Sequence, residues 1–241
     1  MQAIILAAGK GSRMSGFNRD LPKCLLRIGE ERILDYQLNV LYQFDIRDII
    51  VVVGHKKNIV TSEYEGRDIR FVFNPFYDVT NVLTSFWFAK DFLHEEYIFL
   101  HGDTIFETGV LEKLISSNKA DVLLAVDKRE CDDEAMKVRI ENGRIMQVTK
   151  DMPSHEAVGE FIGVAKIGSR AVPVINRIVE EIIESKEFGL FFEAAIQEAI
   201  EYESISIGHV DISGMFWEEI DTFPDYTAAL KGFKDRFPLS P

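Results

Sequence analysis

The chain has 241 residues, 46% hydrophobic and 28% charged, a composition that excludes a disordered protein and is typical of a soluble globular one. Its net charge of −13 repels polyanions and argues against nucleic acid as a partner. With 2 cysteines there is no disulfide scaffold, and the apolar runs are far shorter than the roughly 20 residues that cross a membrane. We therefore expect a cytoplasmic protein, away from membranes, with a single domain over residues 1–241; the sequence indicates no particular oligomeric state.

The first half of the chain alternates predicted strands with predicted helices. The uninterrupted apolar run at 3–8 is typical of a strand buried on both faces of a parallel sheet. Further strands are predicted at 48–54, 69–73, 97–100 and 121–126, and helices at 33–44, 80–93 and 110–115. This alternation predicts an α/β fold with a doubly wound, mostly parallel sheet, because parallel strands need crossover connections.

The pattern changes after the strand at 121–126. Short strands are predicted at 137–140, 144–149 and 161–167, and Asn142-Gly143 is a turn signal between the first two. Helices at 172–185, 191–202 and 224–233 and strands at 205–210 and 216–220 complete the chain. The second half therefore predicts a small β-rich insertion.

The segment after the first strand combines two glycines with positive charge. Gly9 and Gly11 would let the backbone approach a phosphate chain closely. Five basic residues and one acidic residue lie between positions 10 and 27 of this acidic chain. A dinucleotide-binding fingerprint is excluded because its third glycine would stand at Met14, and the P-loop spacing is missing. An ordinary strand-to-helix turn with exposed basic side chains is the alternative.

Four segments follow one another along the chain: Leu6-Ala7-Ala8-Gly9-Lys10-Gly11-Ser12-Arg13-Met14, Pro22-Lys23, His101-Gly102-Asp103 and Trp217-Glu218-Glu219-Ile220-Asp221-Thr222. Together they resemble the nucleotidyltransferase family of sugar-1-phosphate uridylyl-, guanylyl- and cytidylyltransferases. The resemblance implies a Rossmann-like nucleotidyltransferase fold. It also implies transfer of a nucleoside monophosphate from a nucleoside triphosphate to a phosphorylated acceptor, with release of pyrophosphate.

The resemblance further implies a role for each matching residue. The nucleotide would be held by the main chain of Leu6, Ala7, Ala8, Gly9 and Gly11. Arg13 and Lys23 would bind the phosphates and act in catalysis, and Asp103 and Asp221 would hold Mg²⁺. Such transfers gain most from positioning and charge neutralisation, for which fixed cations and a hard metal ion are suited.

Alternative roles stay open for three residues near the expected metal. An N-cap of the last predicted helix is the alternative for Asp221. Glu219 would either assist the metal or cover the sheet, and the second role is preferred. His101 is interpreted as structural, because a phosphate monoester with a second pKa near ~6 is already anionic and needs no general base.

The acceptor side departs from the sugar-nucleotide members of the family, which carry a Pro and Thr pair where this chain has residues 15–20. The helix start at 80–85 and the run Gly159-Glu160-Phe161-Ile162-Gly163 are instead similar to cytidylyltransferases of phosphocholine, inositol-1-phosphate and 2-aminoethylphosphonate. This resemblance makes CTP the favoured donor and a small phosphate or phosphonate the acceptor.

The predicted acceptor-binding residues are Asn81, Ser85, Lys150 and Glu160. Lys150, or alternatively Lys137, would pair with the acceptor's phosphate or phosphonate. Glu160 is an acid in an otherwise apolar strand and would pair with an ammonium group, as would Asp127 or the faces of Trp87 and Trp217. Asn81 and Ser85 share a helix face, with an N-cap and a neutral surface residue as the alternative.

Two other functions stay open. One is a sugar-1-phosphate nucleotidyltransferase that uses UTP, GTP or dTTP. The other is a non-catalytic regulatory subunit that binds nucleotide, against which the intact set Arg13, Lys23, Asp103 and Asp221 argues.

Overall fold

The computed structural model describes residues 1–14, 21–202 and 205–236. Its strands are β1 (Gln2–Ala7), β2 (Arg27–Ile28), β3 (Glu31–Arg32), β4 (Asp48–Val53), β5 (Arg70–Phe73), β6 (Tyr97–His101), β7 (Thr104–Phe106), β8 (Val122–Asp127), β9 (Lys137–Glu141), β10 (Arg144–Thr149), β11 (Gly159–Ile167), β12 (Ile207–Asp211) and β13 (Trp217–Glu219). Its helices are α1 (Ile33–Gln43), α2 (Lys57–Glu63), α3 (Val82–Ala89), α4 (Thr108–Ser116), α5 (Val172–Glu184), α6 (Phe192–Tyr202) and α7 (Phe223–Arg236). Within these residues, no helix combines the length and the apolar character needed to cross a membrane.

The main sheet has the strand order β5-β4-β1-β6-β11-β8-β12-β10-β9. β4, β5, β6, β8, β9 and β12 run in the same direction as β1, whereas β10 and β11 run in the opposite direction. The predicted α/β fold with a doubly wound, mostly parallel sheet is therefore confirmed. The short strands of the second half, β9 and β10, extend one edge of this same sheet.

Both faces of the sheet are buried, which explains the unbroken apolar run of β1. Ala3 and Ile5 pack on one face, in a cluster that includes residues of α1 and α4. Ile4 and Leu6 pack on the other face, with residues of α3, α5 and α6. Alternate side chains of a strand point to opposite faces, so a strand covered on both sides needs apolar residues throughout.

Several short elements were not predicted. α2 buries Val60 alone among its seven residues, so it shows no helical periodicity. β2 and β3 have two residues each and pair with one another. β7 pairs with β13, about a hundred positions away in the chain, and such a partner is invisible in a local pattern.

Candidate active site

The glycine loop leaves the carboxyl end of β1, where neighbouring strands hold its backbone. The carbonyl of Leu6 accepts a hydrogen bond from the amide of Gly102 at 2.9 Å, and the carbonyl of Ala8 accepts one from the amide of His55 at 3.0 Å. A Cβ on Gly102 would lie 2.8 Å from both the Leu6 carbonyl oxygen and the Cβ of Ala7. The strand ends therefore meet closely at this edge of the sheet, where open α/β folds bind ligands.

The two loop glycines differ in their surroundings. Gly11 has a φ of +62°, and a Cβ there would lie 2.9 Å from Cγ of Lys23. This position requires glycine for its left-handed conformation and for the approach of the lysine stem. A Cβ on Gly9 would meet nothing within 4 Å, so the backbone at Gly9 faces open space.

Asp103 lies in the tight turn between β6 and β7. The buried amide of Gln37, on α1, donates from Nε2 to the carbonyls of His101 at 2.7 Å and Thr104 at 2.8 Å. These two bonds clamp the backbone on both sides of Asp103, so the carboxylate is carried by a braced turn.

Asp221 reaches the same place through the pairing of β13 with β7. Glu219 lies opposite Thr104 in that pair, and the amide of Ile220 donates to the carbonyl of Asp103 at 3.0 Å. The backbone that carries Asp221 is therefore hydrogen-bonded to the backbone that carries Asp103.

The helix-cap alternative for Asp221 is wrong. The amides of Asp221 and Thr222 both donate to Oδ2 of Asp225, at 3.0 and 2.7 Å, so Asp225 accepts at the start of α7. The amide of Asp225 in turn lies 3.5 Å from Oγ1 of Thr222, the reciprocal arrangement of a capping box. The carboxylate of Asp221 is left to contact other side chains.

Arg13, Lys23, Asp103 and Asp221 form what we call the Lys23 cluster. Lys23 Nζ donates to Asp103 Oδ2 at 3.0 Å and also to Asp221 Oδ1, while Arg13 Nη2 lies 2.7 Å from Asp221 Oδ2. Burial would lower the pKa of Lys23, but Asp103 and Asp221 outweigh it and raise that pKa. Burial would raise the pKa of Asp221, but Lys23 and then Arg13 outweigh it and lower that pKa. Lys23 and Asp221 are therefore both charged at neutral pH.

The acidic members of this cluster have the donor chemistry of a magnesium site. Their carboxylates converge on one cationic atom, Lys23 Nζ, which shows that a cation fits between them. Glu219 adds a third carboxylate, since donor atoms of His101, Asp103 and Glu219 all lie within 4.8 Å of one another. Burial and then the nearby Asp103 raise the pKa of Glu219, a group that a dication would return to its charged form. Oxygen donors of this kind match Mg²⁺.

His101 is held beside these carboxylates by packing. Gly163 has a φ of +73°, and a Cβ on it would overlap the imidazole ring. The ring also makes an edge contact with Phe99 at 5.4 Å, and its Nε2 lies 3.7 Å from Oε1 of the buried Glu193. These contacts fix the orientation of the imidazole within the fold.

A cavity of about 290 Å³ opens beside the Lys23 cluster. Its described lining is Arg13, Arg129, Asp132, Glu134, Ala135, Lys150, Glu160, Trp217, Glu218, Glu219, Asp221, Thr222 and Asp225. Seven of these residues are acidic and three are basic, so the cavity attracts cations and needs added positive charge to hold a phosphate.

Asp127, Arg129, Glu160 and Trp217 form the Arg129 cluster, and all of them except Asp127 line this cavity. Arg129 donates from Nε and Nη2 to Oε2 of Glu160 at 3.1 and 2.6 Å, and its Cζ lies 4.4 Å from the Trp217 ring. The Trp217 indole donates to Oδ2 of Asp127 at 3.0 Å. Burial raises the pKa of Glu160, and Arg129 opposes that rise.

The two candidate lysines differ in position. Lys150 lines the cavity and lies 3.8 Å from Glu134. Lys137 is buried, and its Nζ donates to the carbonyls of Asp133 and Lys150 at 3.1 and 2.9 Å. Lys137 therefore holds the backbone behind the cavity, and Lys150 is the lysine that faces the ligand space.

Asn81 and Ser85 have partners within the fold. Asn81 caps α3 by accepting from the amide of Val82 at 2.8 Å, and it donates to the carbonyl of Gly189 at 3.2 Å. Ser85 is buried and accepts from the side chain of Asn74 at 3.0 Å. The described lining of the cavity includes neither residue, and the contacts of this pair are those of helix capping and packing, so the acceptor role stays a prediction.

The Trp87 indole donates to Glu180 at 2.9 Å and likewise lies outside that lining. The stretch 15–20, whose sequence departs from the sugar-nucleotide members, lies outside the described residues.

The sequence profile of the MobA-like NTP transferase domain matches residues 3–184. The chain belongs to this family and is a nucleotidyltransferase.

Named relatives agree with that assignment. The CTP:phosphoglutamine cytidylyltransferase of Campylobacter jejuni is 27% identical over 248 residues, covering 93% of this chain and 97% of the relative. The solved structure of the CTP:phosphocholine cytidylyltransferase of Streptococcus pneumoniae has a TM-score of 0.80 at 22% identity, covering 97% and 99% of the two chains. A UTP–glucose-1-phosphate uridylyltransferase of Haloferax volcanii is 28% identical over 55% of this chain and 56% of its own. The proteins similar to this chain therefore include both cytidylyltransferases and a sugar-phosphate uridylyltransferase.

Sequence reasoning missed the other charged residues of the cavity. Arg129, Asp132 and Glu134 lie in the irregular segment between β8 and β9, where no periodic pattern marks a side chain as inward. Arg129 follows the carboxyl end of β8 by two residues, and that position is the one signal that could have identified it.

Proposed function

We propose that this chain is a Mg²⁺-dependent cytidylyltransferase that transfers CMP from CTP to a small phosphorylated alcohol or phosphonate carrying an ammonium group. The observation that carries the proposal is one cavity lined by members of both the Lys23 cluster and the Arg129 cluster. The first supplies charges suited to a triphosphate, and the second supplies a carboxylate and an aromatic face suited to a cation.

The reaction needs positioning and charge compensation more than proton transfer. An anionic oxygen of the acceptor attacks the α-phosphorus, the bond to the β-phosphate breaks, and pyrophosphate leaves. Arg13 and Lys23 provide positive charge against the leaving group. Asp103 and Asp221 would hold Mg²⁺, with Glu219 beside them, and the ion when bound neutralises phosphate oxygens and orients them.

The surplus of acidic residues supports a cationic acceptor. An acceptor phosphate is drawn to Lys150 and the metal, while the remaining carboxylates favour a positive group elsewhere on the same small molecule. The names of the Campylobacter and Streptococcus relatives, which use CTP, support CTP as the donor.

A sugar-1-phosphate nucleotidyltransferase is the second candidate, supported by the Haloferax relative. The cavity favours the first candidate because a sugar offers hydroxyls and no cation to its carboxylates.

Pyrophosphate release with each of four nucleoside triphosphates tests the proposal, using phosphocholine, 2-aminoethylphosphonate, phosphoglutamine, inositol-1-phosphate and glucose-1-phosphate as acceptors. We expect turnover to be highest with CTP and an ammonium-bearing acceptor and to disappear when EDTA removes Mg²⁺. Equal or faster turnover with glucose-1-phosphate would support the second candidate instead. Nucleotide binding without pyrophosphate release from any pair would indicate a regulatory subunit.

A further inference from the structure

The Arg129 guanidinium occupies the place in the cavity where a cationic head group would bind. It donates two hydrogen bonds to Glu160, at 3.1 and 2.6 Å, and stacks 4.4 Å from the Trp217 ring. A carboxylate together with an aromatic face is the pair of partners that binds an organic ammonium ion. The chain itself therefore supplies a cation to this subsite.

The fold constrains the Arg129 guanidinium less than it constrains Glu160 and Trp217, the two side chains that the guanidinium contacts. Glu160 lies in β11, paired on both sides with β8 and β9, and its side chain is 10% exposed. Trp217 lies in β13, and Asp127 accepts its indole hydrogen bond. Arg129 instead lies in the irregular segment 128–136, and its side chain is 49% exposed. A half-exposed side chain on a loop exchanges partners more readily than groups fixed in a sheet.

If another cation replaces Arg129, the Glu160 carboxylate is not left without a positively charged partner. If Arg129 simply left, Glu160 would keep a poorly hydrated negative charge with one partner missing, which is strongly unfavourable. Replacement of one cation by another keeps the carboxylate paired at the beginning and at the end of the step.

We propose that Arg129 is a displaceable cation that fills the ammonium subsite until the ammonium group of the acceptor takes its place. This inference rests on the proposed function, since it names how that site selects its acceptor. An acceptor without a positive charge offers Glu160 nothing in exchange for the guanidinium, so the subsite stays closed to it. Arg129 is in this way a specificity-determining residue that acts by exclusion.

Acceptor kinetics of Arg129→Ala test the exchange directly. Removing the competing guanidinium leaves the subsite available at all times, so the KM for phosphoethanolamine should fall about tenfold, with the effect on acceptor KM and not on kcat. Lys128→Ala is the matched control, because Lys128 pairs with Asp211 at 2.9 Å and lies outside the described lining of the cavity. That variant should keep the wild-type KM.

Added guanidinium should reverse the effect. Millimolar guanidinium chloride should compete with phosphoethanolamine in Arg129→Ala and raise its KM toward the wild-type value, while the wild-type enzyme stays unaffected. Arg129→Lys keeps the charge and loses the planar stacking, so it should lower the KM by a smaller factor. This second variant also provides a test if Arg129→Ala does not fold.

Choline binding separates this inference from the proposed function, because it requires neither CTP nor turnover. Trp217 fluorescence reports binding in a Trp87→Phe background, since the chain has 2 tryptophans. Choline should bind more tightly to Arg129→Ala than to the parent protein. Tighter choline binding without CMP transfer to any acceptor would defeat the proposed function and leave the exchange standing.

Three results would overturn the exchange. A higher KM for phosphoethanolamine in Arg129→Ala would make Arg129 an acceptor contact. An unchanged KM would reduce it to a structural ion pair. Choline binding that is weaker in Arg129→Ala, or missing from both proteins, would remove the ammonium subsite itself.

Discussion

The Lys23 cluster and the Arg129 cluster both pair buried or half-buried carboxylates with a cation from the chain, but they hold that cation differently. Lys23 is 13% exposed, touches two aspartates and packs its stem against Gly11. Arg129 is 49% exposed and stacks on the edge of the cavity from an irregular segment. The same pairing of charges therefore gives a fixed arrangement in one place and an exchangeable one in the other.

The difference teaches how one acidic cavity can receive two substrates of opposite charge. A triphosphate needs permanent positive charge, which the buried Lys23 supplies and which the proposed Mg²⁺ between the aspartates would increase. An ammonium group needs a carboxylate that becomes available when the acceptor binds. Glu160 becomes available when the half-exposed Arg129 moves away from it. The following predictions separate the two regions by experiment.

The largest effect is expected for Lys23→Ala. Loss of charge neutralisation at the phosphates should lower kcat/KM by about 10²- to 10³-fold while the protein stays folded. In this variant Mg²⁺ would no longer compete with the Lys23 ammonium group for Asp103 and Asp221. Added Mg²⁺ should therefore raise the melting temperature of the variant more than that of the wild-type protein. Calorimetry with and without Mg²⁺ measures this second effect.

Lys57→Ala, which removes a cation that lies over the Phe73 ring, is the control. Near-normal kcat/KM in Lys23→Ala would defeat the assignment of Lys23 to the phosphates.

The next effect concerns Asp103 and Asp221, the carboxylates that we propose bind Mg²⁺. Asp103→Asn and Asp221→Asn should each require on the order of tenfold more Mg²⁺ for half-maximal activity, because an amide lacks the charge that a hard dication prefers. Asp225→Ala removes the cap of α7 and should lower stability by about 1 kcal/mol without changing the Mg²⁺ requirement. Titration of activity with Mg²⁺ and thermal melts distinguish the three variants. If only Asp225→Ala changed the Mg²⁺ concentration needed for half-maximal activity, Asp225 would be assigned to the metal in place of Asp103 and Asp221.

A smaller effect, on the acceptor alone, is expected for Glu160→Gln. The neutral amide pairs weakly with an ammonium group, so the KM for phosphoethanolamine should rise about tenfold, a loss of roughly 1.4 kcal/mol. The KM for CTP should change little. Glu141→Gln, an exposed residue of β9, is the control. Equal increases in the two KM values would place Glu160 outside a dedicated acceptor subsite.

The smallest effect compares the two loop glycines. Gly11→Ala puts a Cβ at positive φ against the Lys23 stem and should cost about 1 to 2 kcal/mol, a few degrees in melting temperature. Gly9→Ala meets open space and should leave the melting temperature unchanged while raising the KM for CTP. Thermal melts and CTP kinetics on both variants give the comparison. If Gly9→Ala bound CTP normally, the nucleotide would not approach the backbone there.

Much of the fold can be predicted from the local spacing of apolar residues, because the side chains that a strand or helix buries are mostly apolar. The strand at 3–8 and the helix at 33–44 were predicted within one residue at each end, since both faces of the strand and one face of the helix are packed. α2 and β7 were missed because one buries a single side chain and the other exists only through β13.

The Lys23 cluster illustrates what sequence determines about the site. The family resemblance of four separated motifs implied Arg13, Lys23, Asp103 and Asp221, and the fold brings all four together. The resemblance carried by those motifs implied this family before any distance was known, and the family match confirms it.

Tertiary structure alone decided how the acceptor side is built. Asn81 and Ser85 share a helix face, as their spacing indicates, but Asn81 caps α3 and donates to the carbonyl of Gly189, and the buried Ser85 accepts from Asn74. Arg129 lies in the site although its segment shows no periodic pattern of apolar residues. The strands β8, β11 and β13 bring Glu160 and Trp217 to its guanidinium group. Periodicity identifies which residues a single element buries. The partner of a charge on a loop depends instead on which strands become neighbours, and that is a property of the folded sheet.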